Sequence, residues 1–397
     1  MRWNSGAKAP FRVVFVINSL EGGGAERVLS LLLARMETLL KDAEPYLILL
    51  DRKPEVHPIP AYIKAIRLDC QGSLIKSILS LQSQLKNIQP DVVLSFLNRA
   101  NCANVLVART LSYRCILSER VNTSSHFGAG LKGRINKLIV RMLYPLADQV
   151  LAVSQGVAED LRSNFRVPLD RLMVIYNPYD LDQLQQAGTQ TPALQLADPY
   201  IVSVGRLVPN KNFPLLIRAY HQSGIPEKLV ILGEGPERDS LTNLINELGL
   251  QERVILAGFV KNPYAVMARA AYAAFASSAE GFPNAMAEAM ALGLPVVATD
   301  CDSGPAEILH GVIHVHEPSA FPADYGVLVP VNDQESMAQA LQYLGDPTVR
   351  AHYRQQSQLR IREFGFARTV SAYFAALTAG FQQSGGGQDD RMETTII

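Results

Sequence analysis

No stretch of this 397-residue sequence holds the roughly 20 successive apolar residues that a bilayer-spanning helix requires, and residues 1–10 lack the apolar core of a secretion signal. A cytosolic chain is expected, meeting membranes peripherally and on their inner face. Cysteine is scarce: Cys70, Cys102, Cys115 and Cys301 stand far apart, in no metal-binding spacing. They read as buried thiols of a reducing compartment rather than a disulfide framework. Net charge is missing, with 37 basic residues against 37 acidic ones. Bulk attraction to nucleic acid is therefore not expected, and an anionic partner must be met by a local patch. No Gly-Lys-Ser/Thr occurs, which excludes a P-loop. No internal repeat is present. What remains is an ordinary globular composition, 48% apolar and 19% charged, over a length sufficient for two cores.

Phe11–Ile17 reads as a buried strand that enters the turn Gly22-Gly23-Gly24, and Ala25–Met36 then has helical apolar spacing. Strand, glycine turn and helix make a Rossmann-like start. At this turn Gly24 is followed by Ala25, Glu26 and Arg27, so the G-x-G-x-x-G spacing is absent and a dinucleotide cofactor is not expected. The glycines either let backbone approach a ligand closely or serve a tight turn alone. Buried runs at Tyr46–Leu50, Asp91–Phe96, Cys115–Leu117, Gln149–Val153 and Met173–Tyr176, with helical segments between several of them, predict an open, mostly parallel sheet. Ligands of such sheets bind at the carboxyl ends of the strands. Glu119 follows one such end. It is a candidate to orient or deprotonate an attacking hydroxyl, or it forms an ion network with Arg120 that shapes the loop. His126, in the Ser-Ser-His-Phe-Gly loop, is a weaker candidate of the same kind.

In Leu131–Tyr144, Leu131, Ile135, Leu138, Ile139 and Met142 share one helical face, while Arg134, Lys137 and Arg141 fall close together on a neighbouring one. No acidic residue occurs between Arg120 and Asp148. A solvated helix mixes signs, so an unbalanced basic stripe beside an apolar face points to lipid headgroups or phosphate, with a plain basic surface as the alternative.

The Gln- and Thr-rich segment 184–198 is expected to link a first domain, 1–183, to a second, 199–365. The second opens with Tyr200–Val204 and the turn Gly205-Arg206. Arg206 and Lys211, five apart around Pro209-Asn210, make a sensible fork-plus-point-charge pair for a diphosphate. Gly233 begins another glycine turn. His310, His314 and His316 cluster without a metal-ligand pattern, so no metal site is expected. Ser277–Thr299 is the richest stretch: a loop carrying Glu280, a helix carrying Glu288, then the strand Pro295–Thr299. Asn284 is expected as the N-cap, accepting from amides near Met286 and Ala287. A carboxylate beside free helix-end amides suits a phosphate-bearing ligand. Residues 366–384 are expected as a terminal helix and 385–397 as a disordered tail.

Glu280-Gly281-Phe282-Pro283 with Glu288 resembles the E-x7-E element of the retaining glycosyltransferases of family four, which adopt the GT-B fold. Gly293–Thr299 and Val204–Leu207 with Lys211-Asn212 are similar to further segments of that family. The resemblance implies two Rossmann-like α/β domains facing a cleft, an acceptor-binding domain followed by a donor-binding one, with the terminal helix crossing back. It implies a nucleotide-sugar donor, UDP-linked, bound by Gly23, Gly24, Gly205, Gly233, Gly281, Phe282, Asn284, Ala285, Met286 and Glu288, the last on the ribose. Glu280, Arg206 and Lys211 would carry the transfer, without cofactor or metal. The Leu131–Tyr144 helix and Glu21–Arg27 also resemble transferases that extend undecaprenyl-diphosphate-linked glycans. This implies a polyprenyl-diphosphate-linked acceptor gripped by Arg134, Lys137 and Arg141, in bacterial surface polysaccharide or glycoprotein glycan assembly. Two other readings keep much of this: a nucleotide-sugar epimerase on the same fold, and a silent membrane-associated scaffold. The joint presence of Glu280, Glu288, Arg206 and Lys211 weighs against the scaffold.

Overall fold

The structure is a computed structural model that describes residues 10–128, 130–196 and 199–381. Two seven-stranded sheets organise it. The first contains β1 (Phe11–Ile17), β2 (Ala43–Leu49), β3 (Lys64–Arg67), β4 (Val92–Phe96), β5 (Arg114–Glu119), β6 (Gln149–Ala152) and β7 (Leu172–Val174), in the order β3-β2-β1-β4-β5-β6-β7. Every pairing in it is parallel. The second contains β8 (Tyr200–Val204), β9 (Lys228–Leu232), β10 (Val254–Gly258), β11 (Tyr272–Phe275), β12 (Val296–Thr299), β13 (Phe321–Pro322) and β14 (Val327–Val329), in the order β10-β9-β8-β11-β12-β14-β13. Only β13 runs antiparallel to its neighbour.

The strands are continuous apolar runs because helices cover both faces of each sheet. In β1, Val13, Phe15 and Ile17 pack on one side with Leu29 and Leu33 of the first helix, Gly24–Arg35, while Val14 and Val16 pack on the other with Leu81 and Leu85. Strand order reverses beside β1 in the first sheet and beside β8 in the second. Such switch points are where the loops at the carboxyl ends of strands part and leave a crevice. The Gly22–Gly24 turn follows β1. The Gly205–Lys211 loop follows β8, and the Ser277–Pro283 loop follows β11.

The terminal helix, Phe366–Thr378, follows the second domain but buries Val370, Tyr373, Ala376 and Leu377 in the core of the first. The tail expected at 385–397 lies outside the described residues. The segment expected as a linker, 184–198, begins inside a helix, Leu181–Thr189, capped by Asp180, whose carboxylate accepts from Gln183 N at 3.1 Å. This helix belongs to the second domain: Asn262 donates to the Ala187 carbonyl at 2.9 Å. Its glutamines conceal a narrow seam in which Leu184 and Gly188 are the buried residues.

Candidate active site

The two switch points face each other. Between them lies a pocket of about 210 Å³, whose walls include Gly23, Gly24 and Arg27 of the first domain and Asn284, Ala285 and Glu288 of the second. The approach is close: a Cβ on Gly24 would come within 2.9 Å of the Asn284 amide nitrogen, and one on Gly281 within 2.1 Å of the Arg120 carbonyl oxygen. Glycine at both places is what lets the domains meet.

The helix Asn284–Ala291 presents its first turn to the pocket, but not with the expected cap. Pro283 is the N-cap, and its carbonyl accepts from the amides of Met286 and Ala287, both at 3.1 Å. Asn284 is already helical. Its Oδ1 accepts from Asn177 at 2.6 Å and from the Tyr179 hydroxyl at 2.8 Å, tying the helix start to the interdomain crossover. Met286 is fully buried with its amide engaged, so the helix-end amides toward the pocket are those of Asn284 and Ala285. Phe282, expected at the donor, commits its ring to packing against Tyr176 and Phe364, at 5.3 and 5.5 Å between centroids.

Beside the pocket, the Pro209–Lys211 turn carries Lys211 onto the loop after β11, where its ammonium donates to Glu280 Oε1. Ser277 Oγ donates to the same oxygen at 2.7 Å. The Lys211 stem lies along Gly205, where a Cβ would sit 3.5 Å from it. Gly233 packs on the same turn: at φ +148 its Cβ position lies 1.9 Å from the Gly205 carbonyl oxygen. Arg206 is exposed at the rim, within electrostatic reach of Glu26 on the first helix. Burial raises the Glu26 pKa, partly opposed by its own backbone amide and by Arg206.

The sequence reading did not foresee Arg27. Its guanidinium crosses the cleft to Glu288 Oε1, and Tyr264 flanks it with the ring centroid 5.7 Å away. Burial pushes the Glu288 pKa up, while Arg27 and a hydrogen bond from Tyr264 hold it down. Burial would lower the Arg27 pKa, but Glu288 together with Tyr264 and Tyr179 raises it on balance, and the guanidinium stays charged. The signal was available: Glu26-Arg27 is a charged pair in the first turn, just before the apolar run of the helix.

Glu119 is not an acceptor-side base. It is 2% exposed, and its carboxylate accepts from the Tyr144 hydroxyl at 2.6 Å and from the Arg120 amide at 3.0 Å. Burial raises its pKa, and these hydrogen bonds oppose the rise. Nor does it pair with the Arg120 guanidinium, which reaches Tyr373 at 3.0 Å and Asn177 instead. His126 is exposed on a short helical turn, Thr123–His126, against Phe127.

The basic helix, Leu131–Leu143, turns only Val140 fully into the core. Leu131, Ile135, Leu138 and Met142 are 77%, 49%, 55% and 58% exposed. At 100° per residue their face lies opposite Val140, so the apolar side points away from the protein, flanked by Arg134, Lys137 and Arg141. Among the described residues no helix is long and apolar enough to cross a membrane. His310 and His314 pair separately with Asp324 and Asp300.

A family model described as Glycosyl transferases group 1 matches residues 198–346, and one described as Glycosyltransferase Family 4 matches residues 22–183. The chain is 35% identical to the N-acetylgalactosamine-N,N'-diacetylbacillosaminyl-diphospho-undecaprenol 4-alpha-N-acetylgalactosaminyltransferase of Campylobacter jejuni, over 88% of this chain and 94% of that one. Among solved structures, HepE of Anabaena in complex with UDP superposes with a TM-score of 0.71 at 20% identity, over 93% of this chain and all of that one. Sucrose-phosphate synthase of Thermosynechococcus elongatus does so with a TM-score of 0.77 at 17% identity, over 94% and 99% of the two chains. Two domains with opposed switch points, matched over nearly their whole length by such a relative, place the chain in glycosyltransferase family 4, as a glycosyltransferase of the GT-B fold.

Proposed function

We propose that this glycosyltransferase moves a sugar from a UDP-linked donor, with retention of anomeric configuration, to a hydroxyl of a polyprenyl-diphosphate-linked glycan in bacterial surface polysaccharide or glycoprotein glycan assembly. The observation that carries this reading is the pocket between the Gly22–Gly24 turn and the Asn284–Ala291 helix, with the Lys211–Glu280 pair beside it. A leaving diphosphate gains negative charge as the anomeric C–O bond breaks. Lys211 has three N–H donors and gives one to Glu280, leaving donors for phosphate, while Arg206 at the rim adds a fork. The amides of Asn284 and Ala285 face the same charge. These groups supply the stabilisation a metal would otherwise give, so turnover needs none.

Glu280 holds hydroxyls of the donor sugar and Glu288 those of the ribose. With Glu119 sealed in the core, the leaving phosphate itself takes the acceptor's proton as the hydroxyl attacks from the front face. The acceptor side rests on the Leu131–Leu143 helix, whose exposed apolar face enters the headgroup region while Arg134, Lys137 and Arg141 meet lipid phosphate or the carrier diphosphate. On this reading the enzyme works in the cytoplasm, on the inner face of the plasma membrane. The Campylobacter relative, whose name specifies a diphospho-undecaprenol-linked substrate, supports the same acceptor class.

The test is nucleoside diphosphate release from a panel of nucleotide sugars, with and without a polyprenyl-diphosphate-linked glycan. Acceptor-dependent UDP release is expected, with an α-linked product from an α-linked donor. A β-linked product rejects retention, and release from another nucleotide alone rejects UDP.

A further inference from the structure

We propose that Arg27, supplied by the first domain, is the positioning residue that readies Glu288 of the second domain for the ribose of the donor nucleotide. This rests on the reading that Glu288 meets the ribose. Glu288 stands on a helix packed into the second-domain core, and its side chain is only 7% exposed. A carboxylate so buried binds hydroxyl donors well only if it is charged and fixed, and nothing on its own helix provides either: the Asn284–Ala291 helix carries no other charge. Arg27 supplies both. Its guanidinium takes Oε1 and lies over the Tyr264 ring, and both Arg27 and Glu288 border the pocket.

Arg27 itself is 40% exposed and reaches Glu288 across 261 positions of sequence. The contact therefore exists only while the two domains are together. It follows that ribose recognition, a property of the second domain, is switched on by the approach of the first. An opened enzyme leaves Glu288 without its cation and binds the nucleotide through the diphosphate groups alone.

The experiment compares UDP with 2′,3′-dideoxy-UDP by titration calorimetry on the full chain and on Arg27→Met, Arg27→Lys and Glu288→Gln. A hydrogen bond to a charged group discriminates by roughly ten- to hundredfold. The wild type is expected to prefer UDP by that ratio, Arg27→Met to bind both nucleotides at the dideoxy level, and Arg27→Lys to recover part of the preference. Unchanged dideoxy binding in Arg27→Met shows that the protein is folded. A preference retained in Arg27→Met, or an equal loss for both nucleotides, overturns the proposal while leaving the ribose role of Glu288 intact. Absence of any preference in the wild type, or its persistence in Glu288→Gln, overturns the ribose reading and this inference together.

Discussion

Glu307 of the second domain caps a helix of the first: its Oε1 accepts from the Gly156 amide at 2.9 Å. Its Oε2 accepts from Gln155 at 2.7 Å, so one carboxylate satisfies two amides at the start of the helix Gln155–Phe165. Glu307→Ala strands both buried donors at the domain interface and is expected to cost about 1–3 kcal/mol. Urea unfolding of wild type and variant reads this directly, and an unchanged midpoint rejects the capping role.

Glu280 and Arg206 are proposed to act on the donor, and the Glu280 carboxylate is held only by groups of its own loop cluster, Lys211 and Ser277. Glu280→Ala and Arg206→Ala are each expected to lower kcat by on the order of 10²–10³ with an unchanged melting temperature. Phe282, although adjacent in sequence, belongs to the interdomain aromatic cluster. Phe282→Ala is expected to lose about 3–5 kcal/mol of stability instead. Reversal of this pattern between the two classes of variant undoes the division between site and scaffold.

The Leu131–Leu143 helix exposes its apolar face beside Arg134, Lys137 and Arg141, of which Arg141 also donates to the Asn164 carbonyl at 3.3 Å. Replacing Arg134, Lys137 and Arg141 together by Gln is expected to weaken binding to phosphatidylserine-containing vesicles by about 3 kcal/mol, near 1 kcal/mol per cation. Sedimentation with vesicles measures it. An equal loss with uncharged vesicles argues that the cations serve the helix rather than the lipid.

His314 contacts Asp300 at 3.5 Å, and the carboxylate raises the imidazole pKa above its ordinary 6.5 against an opposing effect of burial. A raised folded-state value favours the protonated fold, so this stabilisation is complete below pH 6.5 and disappears as pH rises through the higher value. In unfolding midpoints taken across that range, His314→Gln is expected to flatten the alkaline decline. A decline of the same slope assigns it to other groups.

Much of this was legible in the chain. The runs around Phe11–Ile17 and Val296–Thr299 are apolar enough to name as buried strands, and the Glu280–Glu288 spacing locates the loop and helix whose start borders the interdomain pocket. What periodicity does not encode is the partner across a cleft. It marks Glu288 as lying on a helix, but Arg27, which pairs with that carboxylate, lies in the other domain. Glu119 shows the same gap at shorter range. A strand end in an α/β sheet is either cleft or core, and only the descent of Tyr144 onto it decides for core. Asn284 had the composition of a cap, but its oxygen was already taken by Tyr179 and Asn177, neither of which is near in sequence. The Leu181–Thr189 helix was hidden because its inner seam is too narrow to stand out among glutamines.

The return of the terminal helix has a consequence for how the protein is made. The rings of Phe11 and Phe381 meet with centroids 5.1 Å apart, and Arg114 Nη1 donates to the Ala379 carbonyl at 3.1 Å. During synthesis on the ribosome, the first sheet emerges early and its first helix covers part of one face, but the part around Phe96 waits for Tyr373 of the terminal helix. The second domain is complete before then. The half made first is therefore finished last, and a nascent chain stalled before residue 366 presents the apolar surface around Phe96 of β4 to whatever chaperone is near.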